Sequence, residues 1–211
     1  MNIELLNVFG DDLMVVNAAR VSMGKSVEEL SIKDEQLIKY LITHEHTSPF
    51  RHPQLQFRIE CPIFVERQLF KHQVGLSANS ISGRYVDFSD KYWQVTEVRE
   101  QSKSSKQGSG PIMNRPDLIH KMNEHIKNSE TLYNELVSAN VAKELARTIL
   151  PLALETQFIW TGSLLAFLHL WKLRLKGDTQ KETRQVAEEM LKLVQNTNKF
   201  NFTLKGYGYE C

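Results

Sequence analysis

Between Leu55 and Cys61 the chain alternates without a break: Leu55, Phe57, Ile59 and Cys61 are apolar, and Gln56, Arg58 and Glu60 between them are polar. Successive side chains of an extended segment point to opposite faces, so this is a strand with one buried and one wetted side. Pro62 follows at once and suits the first turn of a helix, which predicts a helix carrying Arg67, Gln68, Lys71 and His72 directly behind the strand. Gln68 and Lys71 stand three apart and share a face of that helix. A strand of this kind needs a covering layer, and the remaining segments read mostly as helices.

Residues 3 to 8 are consistent with a short strand, and residues 12 to 21 with a helix, because Leu13, Val16 and Ala19 recur at helical spacing. Residues 33 to 43 form a second helix with Leu37, Ile38 and Leu41 on one face. Residues 97 to 115 are rich in Ser, Gln, Lys and Gly without apolar period, which reads as a mobile surface loop, and as a lid only if a ligand lies beneath it. A long helix is expected from Pro116 to Ala139, another from Val141 to Leu150 ended by Pro151, and two more over 155 to 176 and 180 to 196. No linker, repeat or low-complexity tract divides the chain, so residues 1 to 211 are expected to form one domain.

The segment 155 to 176 carries polar residues among apolar ones. At about 100° per residue on a helix, Thr161, His169 and Lys172 fall within a stripe of roughly 80°, with Ser163 and Arg174 almost opposite. Two polar stripes on an apolar helix point to a ligand or a second subunit on one of them, or to internal hydrogen bonding. The same polar residues argue against a membrane span.

Twenty-six basic and 25 acidic side chains leave a net charge of +1, so no global field calls for a nucleic acid polymer or an anionic membrane. An anion must be held by local geometry, and Ser82-Gly83-Arg84, after the basic stretch Arg67 to Gln73, offers it: backbone N–H groups, a hydroxyl and a guanidinium fork suit a phosphate. Ser82 as a nucleophile would need a base and an orienting partner, and neither stands beside it. The two cysteines, Cys61 and Cys211, have no metal or framework spacing, and neither a signal peptide nor an apolar anchor is visible at the N-terminus, so a reduced, cytoplasmic setting is expected. His44, His46 and His52 are close enough in sequence to suggest a metal site as an alternative.

Lys71-His72-Gln73 followed at a distance by Ser82-Gly83-Arg84-Tyr85 resembles the signature of flavin-dependent thymidylate synthases. Further blocks fall in that family's order: His44 to His52, Pro62 to Gln68, Ala146 to Pro151, Phe158 to Thr161 and Leu173-Arg174. The resemblance covers nearly the whole chain. It implies an α+β fold with a twisted, mostly antiparallel sheet packed with helices, a homotetramer with shared active sites, and methylation of dUMP to dTMP with methylenetetrahydrofolate as carbon donor, FAD as hydride carrier and NADPH as reductant. It assigns Gln68, Lys71, Ser80, Ser82, Gly83, Arg84, Arg147 and Arg174 to dUMP. His46, Ser48, Lys71, His72, Gln73, Ser163 and His169 go to FAD or its neighbourhood. Arg174 is the expected catalytic residue, favouring ionisation of the uracil ring at N3. No metal is implied.

The chain departs from the family pattern around the flavin and the pyrimidine. Lys71 and Gln73 stand where the signature has two arginines, its spacing is one residue longer, Ser80 replaces a glutamate, and Leu165 and His169 stand where Arg and Asn are common. Fewer forked donors predict weaker FAD binding. A flavin-dependent hydroxymethylase of the same fold, or a nucleotide-binding homologue without turnover, are the alternatives these departures leave open.

Overall fold

The structure, a computed structural model, describes residues 1–86, 91–103 and 107–209. Strand β1 (Asn2–Phe9) leads into helix α1 (Asp12–Arg20) and, after a 3-10 turn, helix α2 (Ile32–Thr43). A second 3-10 turn, Ser48–Arg51, precedes β2 (Gln54–Pro62), α3 (Ile63–Leu69) and β3 (Leu76–Ser80). A hairpin of β4 (Val98–Gln101) and β5 (Ser109–Met113) is followed by the long α4 (Pro116–Ser138) and the single turn α5 (Lys143–Ala146). Then come β6 (Glu155–Ser163), α6 (Leu164–Arg174), α7 (Lys181–Gln195) and α8 (Asn201–Gly206).

The main sheet is antiparallel in the order β1-β2-β6-β3. Its centre is the pairing of β2 with β6 along their whole length, from Gln54 opposite Ser163 to Pro62 opposite Glu155. Both strands bury alternate residues on the same side: Leu55, Phe57, Ile59 and Cys61 from one, Thr156, Phe158, Trp160 and Gly162 from the other. The opposite face is a polar ladder, with Asn7 donating to Gln56, Gln56 to Thr161 and Arg58 to Glu4. Helices α3, α6, α7 and α8 cover the apolar face through Val65, Leu69, Phe167, Trp171, Met190 and Leu204. A smaller core of Val15, Val16, Ile38, Leu41 and Phe50 ties α1 and α2 to Leu165 on α6.

The strand predicted at 55 to 61 and the helices predicted at 12 to 21, 33 to 43, 116 to 139 and 180 to 196 form within two residues of their expected bounds. The segment 155 to 176 is not one helix: Glu155–Ser163 is a strand and only Leu164–Arg174 is helical. Its first half buries every second residue as β2 does, although Phe158, Ile159 and Trp160 run apolar in a row, and its aromatic and β-branched residues suit the pleated surface next to β2. The two polar stripes therefore dissolve, since Thr161 belongs to the polar ladder and Ser163 caps α6, accepting from the Ala166 N–H at 3.3 Å. The loop expected over 97 to 115 contains the β4–β5 hairpin, and the helix expected over 141 to 150 is reduced to α5 and the 3-10 turn Arg147–Ile149. Among the described residues no helix is long and apolar enough to cross a membrane.

Asp12 joins the two ends of the described chain. It is 2% exposed, and its carboxylate accepts from the Phe202 N–H at 2.6 Å and from the Thr203 N–H and hydroxyl, capping the first turn of α8. Two glycines set the approach of β3 to the sheet. A side chain at Gly162 would run into Leu76 and stand 2.5 Å from the Gly75 carbonyl, while Gly75 itself has φ +74°, a left-handed conformation that glycine adopts freely.

Candidate functional site

Strands β2 and β6 are antiparallel, so α3 and α6 start from opposite ends of the sheet and turn back over the same apolar face. Their C-terminal ends meet. Arg174, in the last turn of α6, donates from Nη2 to the Gln68 carbonyl at 2.9 Å and from Nε to Nε2 of His72 at 3.0 Å. The first bond serves a carbonyl at the end of α3, where helical acceptors lack helical donors and where a cation is favoured by the helix dipole. Of five guanidinium N–H groups two are thus committed, and Nη1 makes no hydrogen bond among the described residues.

Next to this contact lies a polar cavity of about 530 Å3, lined by Arg67, Gln68, Lys71, Arg174, Lys176 and Gln180 among others. The helix expected to carry Arg67, Gln68, Lys71 and His72 stops at Leu69, so Gln68 lies in its last turn while Lys71 and His72 follow it in the turn toward β3; Gln68 and Lys71 both line the cavity all the same. The side chain of Gln68 donates to Gln180 Oε1. A larger and mainly apolar cavity of about 830 Å3 lies between the β4–β5 hairpin and α4, with Phe64, Trp93, Met113, Met122, Glu97 and Glu182 in its wall. Gln180 borders both. The smaller cavity holds the cations an anionic ligand requires and is lined by three of the predicted residues, Gln68, Lys71 and Arg174, so it is the candidate site.

Behind Arg174 sits an imidazole pair. Burial first, then the charges of Arg174 and His169, push His72 down to about 4, so it stays neutral at physiological pH with Nε2 as the acceptor. His169 is drawn below its ordinary value by burial and by Lys172 and Arg51, which places Arg51, from the turn Ser48–Arg51, in the same electrostatic neighbourhood. Five of the residues expected to meet FAD or dUMP therefore gather here: Gln68, Lys71, His72, His169 and Arg174. Gln73 is exposed just beyond. Ser48 and His46 are also exposed; the His46 ring meets Tyr40 at 5.8 Å, and Tyr40 stacks on His44 at 4.0 Å. Ser163 is buried as the cap of α6, its N–H donating to the Gly75 carbonyl.

The phosphate-type residues lie apart from this cavity. Ser80 ends β3, and Ser82, Gly83 and Arg84 form the turn after it: the Arg84 N–H donates to Ser82 Oγ at 3.3 Å, and the Ser82 carbonyl accepts from Tyr85 and Val86. Arg84 is exposed and its guanidinium lies 5.7 Å from the Tyr85 ring. Arg147 is exposed on the 3-10 turn behind α5, outside the cavity. Ser80 stands where the family has a glutamate, yet a carboxylate is present: Ser80 Oγ donates to Glu66 Oε1 at 2.9 Å, and burial raises the Glu66 pKa. Sequence reading did not single out Glu66, Arg51, Gln180 or Glu182. Glu66 was indistinguishable from a solvated helix residue, and Gln180 and Glu182 looked like the polar start of a helix.

Cys61 is buried under β2, and burial, reinforced by Glu66, pushes its thiol up to about 12. A thiol with that pKa is no nucleophile at neutral pH. Cys211 lies outside the described residues.

Residues 4–197 match the family model described as thymidylate synthase complementing protein. A flavin-dependent thymidylate synthase of Thermus thermophilus is 36% identical over 193 residues, 92% of this chain and 71% of the relative. That of Kosmotoga olearia is 37% identical over 198 residues, 92% and 85% of the two chains. Among solved structures, the UMP/dUMP methylase PolB from Streptomyces cacaoi, bound with 5-bromo-dUMP, superposes with a TM-score of 0.87 at 26% identity, covering 99% of this chain and 95% of that one. The α+β sheet, the ordered sequence blocks and these likenesses agree, and the chain belongs to the family of flavin-dependent thymidylate synthases.

Proposed function

We propose that this chain methylates dUMP at carbon 5 of the uracil ring to give dTMP, taking the carbon from methylenetetrahydrofolate and the reducing equivalents from NADPH, at the cavity of Gln68, Lys71 and Arg174. The observation that carries the reading is the Arg174 guanidinium, anchored through two donors and keeping others for a ligand. Burial draws its pKa down, but a guanidinium remains a cation at neutral pH, so it can stabilise negative charge as the pyrimidine loses its N3 proton. Electron density then rises at carbon 5, the atom that accepts the new carbon. Cys61, held as a thiol, is unsuited to the covalent route by which a thiolate adds to carbon 6.

The residues around Arg174 fit a flavin. His72 is neutral, and with Nε2 engaged its Nδ1–H is a donor; Lys71 and Arg51 supply positive charge. When bound, FAD supplies the hydride that reduces the transferred carbon. Lys71 and His72 would hold it and Arg174 would keep the pyrimidine beside it; His46, Ser48, Gln73, Ser163 and His169 complete the proposed cofactor set. Ser80, Ser82, Gly83, Arg84 and Arg147 would complete the nucleotide site, and their separation from the cavity within one chain supports a homotetramer with shared sites.

The test is the mass of the nucleotide after anaerobic incubation of purified protein with dUMP, methylenetetrahydrofolate, FAD and NADPH. A gain of one methylene unit that requires the flavin is expected. A hydroxymethyl product, or no product, overturns the assignment. UMP belongs in the same assay, because PolB is described as acting on both nucleotides.

A further inference from the structure

The Gln68 amide lies in the cavity with Arg174, and its orientation is set from behind. Glu182, 5% exposed in the first turn of α7, accepts from Arg99 Nη2 at 2.7 Å and from Gln180 Nε2 at 3.0 Å. The arrangement is braced further back, since Arg99 Nη1 and Lys181 both donate to Glu97. A carboxylate paired with arginine can only accept, so Gln180 must turn its NH2 group toward Glu182 and its oxygen away. That oxygen meets Gln68, whose Nε2 therefore donates to it. A glutamine amide left to itself offers a donor or an acceptor at either edge; three links starting from a buried ion pair remove the choice here. With its nitrogen committed to Gln180, Gln68 keeps its Oε1 for a ligand.

The charge of the cavity says what that oxygen is for. Arg67, Lys71, Arg174 and Lys176 all line it and can only donate. A pyrimidine nucleotide offers acceptors in its phosphate and its two ring carbonyls, which cations serve. Its donors are few: the ring N3–H and the sugar hydroxyls. Asp178 and Gln107 also border the cavity but are exposed to solvent, and the half-buried Thr179 hydroxyl spends its proton on the Leu173 carbonyl; Gln68 is the half-buried amide acceptor among the cations.

We propose that Glu182 and Gln180 are positioning residues that lock the Gln68 amide with its oxygen toward the nucleotide, so that Gln68 reads an N–H or O–H donor of the substrate. The inference rests on the reading of this cavity as the dUMP site. It adds a role for the α7 N-terminus, which acts through Gln68.

Equilibrium dialysis tests it with dUMP, with 2′,3′-dideoxy-UMP, which lacks the sugar hydroxyl, and with N3-methyl-dUMP, which lacks the ring donor. The proteins are wild type, Gln180→Met, Glu182→Gln and the shape-conserving Gln68→Met, each checked for a wild-type circular dichroism spectrum. Each variant should bind dUMP about 3- to 10-fold more weakly, the worth of one neutral hydrogen bond. It should lose nothing for the one analogue that lacks the donor Gln68 reads, which also identifies that donor. Either positioning variant suffices if the other does not fold. Equal losses for dUMP and both analogues, or no loss, overturn the inference while leaving the site intact. Failure of the wild type to bind dUMP overturns the site and the inference together.

Discussion

Arg174 Nε donates to His72 Nε2 at 3.0 Å, which makes the guanidinium at the end of α6 and an imidazole just beyond α3 one unit. Neither side chain works alone: the cation helps keep the imidazole neutral, and the imidazole fixes the plane of the cation. Arg174→Ala should lower kcat about 100-fold or more, the usual effect of deleting a donor aimed at developing negative charge. The same substitution should raise the His72 pKa from about 4 toward its ordinary value, because one of its causes is gone. A titration followed by NMR at the imidazole ring reads the second effect independently of activity, and an unchanged His72 would contradict the pairing.

His72 also links to stability. Its folded pKa lies below its unfolded one, so the unfolded chain binds more protons between about 4 and 6.5, and stability should fall as pH drops through that window. In His72→Asn the fall should be shallower, measured as the urea midpoint at pH 7 and pH 5.

Asp12 acts in the opposite direction. Burial raises it from 3.8 to about 6, against the hydrogen bonds from Thr203 and Phe202. The folded state then binds more protons between those values, and the stability associated with a protonated Asp12 is lost as pH rises through 6. The shift corresponds to about 3 kcal/mol at most. Asp12→Asn should remove this dependence, steepening the net loss of stability on acidification from pH 6 to pH 4; a profile parallel to wild type would exclude Asp12 as the source.

Gly162→Ala should destabilise the protein by about 1–3 kcal/mol, the range for overpacking a tight site. The added methyl would press on Leu76 and the Gly75 carbonyl and pull β3 from the sheet. Because Ser80 to Arg84 follow β3, dUMP affinity should fall along with the melting temperature, whereas a purely local clash would spare affinity.

The altered signature makes its own prediction. Gln73→Arg and Lys71→Arg each return a forked donor to the flavin side of the site and should tighten FAD binding roughly 10-fold, measured by quenching of flavin fluorescence. Shared sites can be checked by mixing Arg174→Ala with Arg84→Ala after partial denaturation and refolding together. Activity should reappear in the mixture if Arg84 and Arg174 of one site come from different chains, and stay absent if one chain supplies both.

Legibility in the sequence followed how local the cause was. β2 announces itself because its alternation needs nothing outside it, and α1, α2, α4 and α7 because one face of each is apolar. β6 alternates in burial but not in sequence, since Phe158, Ile159 and Trp160 are apolar in a row, and with the mostly apolar Leu164 to Leu170 beyond it a window spanning both reads as one long helix. β3 gives no such signal: after Leu76 the segment Ser77 to Ser80 is small and mostly polar, and it is strand because Gly162 lets it pair with β6. In the site, Gln68, Lys71 and Arg174 could be named from motif and spacing. Glu66, Gln180 and Glu182 could not, since what distinguishes each is a partner 14, 112 or 83 residues away.

Neither β2 nor β6 has a loop before its helix: Pro62 passes directly to Ile63, and Ser163 to Leu164. Gln68 and Arg174, each in the last turn of its helix, are therefore measured off from the sheet by a fixed count of residues, with no slack to take up. The one-residue lengthening of the signature falls between Gln73 and Ser82, on the stretch that contains β3. Natural variation there can retune where the nucleotide phosphate is gripped without displacing the reacting ring, so evolution can resize the ligand at one end of the site while the chemistry at the other keeps its dimensions.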